Sequence, residues 1–171
     1  YPKLHLSSAP FEGAIKIFGV KGRKGGAKRV SGYITSHSIT DKYKAVEQYK
    51  LFFTTTYSSD AMIPPAHIQA MPGEICTETF LLIGPFASEY EMKCCSSYME
   101  TTFFRFILSL GHGTMQVNKN VFSLLPMQDF SEKSDIKWTL STNEIDRQLY
   151  RKYGLTPQEI AFIEEKVKPM Q

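Results

Sequence analysis

The chain has 171 residues, 42% of them hydrophobic and 22% charged, enough apolar surface for one ordinary domain with a real core and too much for wholesale disorder. No apolar run reaches the length of a membrane span; the longest, 103–110, is interrupted by Arg105. The net charge of +3 is unevenly spread, at +7 over residues 1–50, −3 over 51–128 and −1 over 129–171, so a polyanion meets the N-terminal third first.

Residues 14–20 alternate as a strand with Ile15 and Ile17 on one face, and 28–34 read as its partner, with Val30 and Ile34 inward. Between them, Lys21-Gly-Arg-Lys-Gly-Gly-Ala27 has the glycines of a hairpin turn. Six basic residues, Lys16, Lys21, Arg23, Lys24, Lys28 and Arg29, fall here with no acid among them, making a cationic β-ribbon. Residues 49–55 suit another strand, and 57–72, with Pro64-Pro65 and Met71-Pro72-Gly73, an irregular connection. The clearest strand is 75–83, apolar on both faces and so expected to be central, with Glu78 inside it as a buried carboxylate paired to Arg105 or a backbone amide.

Residues 88–110 read as one long helix of roughly 33 Å, opened by Ser88 and Glu91, striped by Met92, Cys95, Met99, Phe103, Phe106 and Leu110, and stopped by Gly111. A polar stretch, 111–120, leads to a short strand at 121–125 and a solvated connector at 131–141. A helix over 143–153 ends at Gly154, and Thr156-Pro-Gln-Glu159 opens the last helix, which runs to about Val167. The expected fold is α+β: a twisted, mostly antiparallel sheet backed by one long helix, with a C-terminal helical hairpin. Residues 1–130 form the principal domain, and 131–171 a connector and helical extension packed on it as one compact unit.

No nucleophile elbow, P-loop or paired zinc-ligand spacing is present, so no catalytic residue and no metal ligand is assigned. Cys76, Cys94 and Cys95 read as reduced thiols of a cytoplasmic protein. Ile63-Pro64-Pro65-Ala66 lacks the Asn and the aromatic residue with which adenine methyltransferases hold a flipped base. The carboxylates Asp129, Glu132 and Asp135 with Lys137 are the one cluster with a metal-nuclease flavour, against a solvated loop as the plainer reading. Two constellations fit nucleic acid. The ribbon can neutralise phosphates and enter the major groove, and the loop bearing His112, Gln116, Asn118 and Lys119 offers amides that pair with adenine.

Several strings, in order and spacing, carry a resemblance: Lys16-Ile-Phe-Gly19 with Arg29-Val-Ser-Gly-Tyr-Ile34, Cys76-Thr-Glu-Thr-Phe-Leu-Leu-Ile-Gly-Pro-Phe86, Thr102-Phe-Phe-Arg-Phe-Ile-Leu108, Gln116 to Lys119, Val121 to Phe130, and Leu149 to Glu164. Together they resemble the C-terminal target-recognition domain of adenine-specific DNA methyltransferases of restriction–modification systems, including fused methylase–endonuclease enzymes. The family often has a hydroxyl residue at the position of Asn118. The resemblance implies double-stranded DNA as partner and an upstream methyltransferase domain of the same chain, which would hold S-adenosylmethionine; this chain itself takes no cofactor. The start at Tyr1 rather than Met agrees with a piece of a longer protein. A metal-dependent nuclease domain of the same system, and a structural or protein-interaction domain, are the alternatives.

Overall fold

The computed structural model describes residues 6–21, 28–35, 39, 41, 44–54, 67–111 and 119–167, with residues 119 and 120 described by their backbone alone. The fold is α+β. Strands β1 (Ala14–Lys21), β2 (Lys28–Thr35), β3 (Tyr49–Thr54), β4 (Ile68–Ala70), β5 (Glu74–Cys76) and β6 (Phe80–Phe86) precede helices α1 (Glu89–Glu100), α2 (Thr102–Leu110), α3 (Lys119–Phe122), α4 (Thr142–Lys152) and α5 (Pro157–Lys166).

The strands form two small sheets rather than the one expected, ordered β2-β1-β5 and β4-β3-β6. All pairings are antiparallel except β1 with β5. The reason lies at Thr77–Thr79. The segment read as one strand over 75–83 turns there, with the Phe80 amide donating to the Thr77 carbonyl at 3.1 Å and the two threonine hydroxyls 2.8 Å apart. Its first part joins the outer sheet and its second part the middle one. Both faces looked apolar because two short strands, each with its own core face, had been joined end to end. Glu78 sits exposed in the turn, not buried in a strand.

The central strand is β3. Side chains alternate across a strand, so Leu51 and Phe53 point to the helices while Lys50, Phe52 and Thr54 point to the outer sheet. The large core gathers Leu51, Phe53, Met92, Tyr98, Phe103, Phe104 and Leu108 with Trp138, Ile145, Leu149 and Ile163, so the C-terminal helices share it. A smaller core of Phe52, Ala70 and Phe80 lies between the sheets and receives Phe18, Val20 and Cys76. The ring centroids of Phe18 and Phe52 are 5.9 Å apart. The inward face of the ribbon is therefore the one bearing Phe18 and Val20. Ile15, Ile17, Val30 and Ile34 lie on its outer face, where Leu6 comes against Gly32, the cross-strand partner of Ile17.

The long helix is interrupted at Thr101, whose extended backbone (ψ 149°) ends α1 and caps α2. Its hydroxyl donates to the Tyr98 carbonyl at 2.6 Å and accepts from the Phe104 amide at 3.1 Å. Residues expected as a strand at 121–125 instead finish the single turn α3. The connector 131–141 is anchored rather than solvated throughout. Trp138 is buried, and its indole N–H donates to the Asp129 carbonyl and to Ser134 Oγ, both at 2.9 Å. The last two helices match their sequence signals, including the capping box of Thr156 and Glu159 and the positive φ of Gly154. Among the described residues no helix is long and apolar enough to cross a membrane.

Candidate nucleic-acid interface

The ribbon is built by eight consecutive antiparallel pairs, from Ala14 opposite Thr35 to Lys21 opposite Lys28. Directly opposed residues share a face. Lys21 and Lys28 thus stand side by side at the end of the ribbon on its outer face, both exposed and with no ionic partner among the described residues. Arg29 lies on the opposite face, beside Val20 and toward the middle sheet. Its Nη2 donates to Thr54 Oγ1 at 3.4 Å, and partial burial lowers its pKa.

Lys16 stands apart from this group. Its ammonium lies 2.8 Å from Glu74 Oε1, its direct neighbour on β5, and 4.7 Å from the centre of the Phe18 ring. The second Glu74 oxygen accepts the Met71 amide at 2.8 Å. Lys16 therefore joins β1 to β5, with its charge already paired to a carboxylate. Arg23, Lys24, His112, Gln116 and Asn118 lie outside the described residues. The backbone of Lys119 opens α3.

Two contacts bring the ends of these segments to one end of β3. From one side, Arg29 reaches Thr54, the last residue of the strand. From the other, Phe122 of α3 packs edge-on against Phe53, with ring centroids 5.4 Å apart. Gly111, which precedes the stretch 112–118, is pressed against Val121 of α3. A Cβ on Gly111 would come within 2.7 Å of a Val121 methyl, so the close approach, not a left-handed backbone, requires glycine here.

A polar cluster flanks this end, and no sequence signal announced it. His67, just ahead of β4, hydrogen-bonds through Nε2 to the hydroxyl of Ser96 on α1. That hydroxyl also accepts from Gln69 Nε2 at 2.9 Å. With Gln69 donating into it, the hydroxyl can give its own proton to His67 Nε2, which leaves the imidazole proton on Nδ1. Burial, and then the charge of Arg29, lowers the His67 pKa to about 4, so the ring is neutral at physiological pH. Ser96 is buried, and the pair ties α1 to the segment leading into β4.

The acidic segment 129–137 does not converge on one point. Asp129 accepts the Ser131 amide at 2.8 Å, and Asp135 pairs with Lys152 at 2.8 Å. Among the described residues no three His, Cys, Asp or Glu side chains stand close enough to hold a metal ion. Cys76, Cys94 and Cys95 are free thiols, and burial raises the pKa of each, to about 11 for Cys76 and about 12 for Cys95. Such thiols are poor nucleophiles. Comparison with protein-family models, with curated proteins and with solved structures finds no match to the chain.

Proposed function

We propose that this chain is the DNA target-recognition module of a restriction–modification adenine methyltransferase and performs no chemistry itself. The observation that supports it best is the pair of contacts at the end of β3. Arg29 on Thr54 brings in the cationic ribbon, and Phe122 on Phe53 brings in the base of the stretch 112–118. Described residues that flank the two segments expected to touch DNA, Arg29 and Phe122, thus meet neighbouring residues at one end of β3. Lys21, Lys28 and Arg29 supply positive charge there that no described carboxylate neutralises. A two-stranded ribbon has the width of the major groove, and exposed lysines bind phosphate whatever the sequence. Base flipping and methyl transfer belong, in this reading, to the upstream domain with its S-adenosylmethionine.

The test is fluorescence anisotropy of the chain with a labelled duplex. For about four phosphate contacts, affinity is expected to fall roughly a hundredfold between 50 and 200 mM salt. No salt-dependent binding at low ionic strength would remove the proposal.

A further inference from the structure

We infer that Arg29 reads a base and that the base is guanine, while Lys21 and Lys28 hold backbone phosphates; this rests on the DNA-recognition reading above. The register separates the two kinds of cation. Lys21 opposes Lys28 on one face of the ribbon, and Arg29, opposite Val20, projects from the other. The lysines are exposed and tethered to nothing described, so each is a mobile point charge. That suits a phosphate, whose position along a groove varies, and carries no sequence information.

Arg29 is supported. Thr54 Oγ1 accepts one of its hydrogen bonds, and Thr54 is itself only 6% exposed at the end of a strand buried on both faces. Neutral His67 stands near enough to feel the charge of Arg29 without opposing it by a charge of its own. A guanidinium has five donors in a fixed planar fork. One is placed on Thr54, and the guanidinium meets no carboxylate among the described residues. What remains is a planar fork of donors tethered by one long hydrogen bond, and that fork matches the O6 and N7 acceptors that guanine alone presents together in the major groove. Lysine at this position would keep the charge and lose the fork.

The experiment selects duplexes from a pool with a randomised 20-base-pair centre, using the whole chain and its variants. The wild type is expected to enrich a motif containing guanine. Arg29→Lys is expected to lose the guanine at one position, with relative affinity there falling about five- to a hundredfold. Lys28→Gln is expected to keep the whole motif and bind every duplex more weakly. Where Arg29→Lys does not melt cooperatively, Arg29→Gln and Thr54→Val replace it with the same readout. An unchanged motif in the Arg29 variants overturns the inference, as does a wild type that binds duplex but enriches no motif. A wild type that binds no duplex overturns the recognition reading itself.

Discussion

The Asp146 carboxylate on α4 accepts the backbone amide of Phe103 at 2.9 Å, and so closes the N-terminus of a helix 43 residues earlier in the chain. Its other oxygen accepts the Thr102 amide at 2.9 Å. Amides in the first turn of a helix have no partner within it, and the helix dipole favours a negative charge there. Burial nonetheless outweighs these donors and raises the Asp146 pKa. Asp146→Ala is expected to cost about 2–3 kcal/mol, from two lost charge-assisted bonds at a buried cap. The shift of the urea midpoint measures it.

Lys50 is buried at the start of β3 and donates to three carbonyls, Val46 at 2.9 Å, Gln48 at 2.8 Å and Met71 at 3.2 Å. Val46 and Met71 also accept backbone amides, from Gly73 and Glu74, so the Gln48 carbonyl depends most on the lysine. Lys50→Met keeps the length of the side chain and removes the donors. It is expected to lower stability by about 1–3 kcal/mol, read from denaturant unfolding, with the salt dependence of duplex binding unchanged.

His67 gives the fold a pH dependence of definite sign. Its pKa is about 4 in the folded chain against 6.5 for the free group. Between these values the unfolded imidazole binds a proton that the folded one refuses. The stabilisation is complete above about pH 6.5 and is lost as pH falls toward 4. After allowance for solvent screening, the advantage of wild type over His67→Gln should shrink by about 1–2 kcal/mol from pH 7 to pH 4.5. Thermal unfolding of both proteins across that range checks it. A constant difference would mean that His67 is not held neutral.

What could be read from the sequence is what neighbouring residues decide. The ribbon strands, β3 and both C-terminal helices follow from alternation, helical spacing and caps lying within four residues of one another. Where distant residues decide, the structure departs from the local pattern. Nothing near Thr101 shows that Asp146 will reach back to start a new helix there, so 88–110 looked continuous. Nothing in 75–83 shows that its two ends pair with different partners, β1 for one and β3 for the other. Val121 and Phe122 are β-formers by type, yet close packing against Gly111 and Phe53 goes with a helical turn. At the candidate site the same division holds. The basic run was plain, but Glu74, which claims Lys16, and Thr54, which supports Arg29, lie 58 and 25 residues away.

The salt slope of duplex binding tests most directly whether the end of the ribbon grips DNA as proposed. Lys21→Gln combined with Lys28→Gln would remove the two proposed phosphate contacts, from exposed positions where no described ion pair depends on them. The plot of log affinity against log salt should become shallower by about 1.8, at roughly 0.9 per contact, while the melting temperature stays unchanged. A double variant with the wild-type slope would contradict the account.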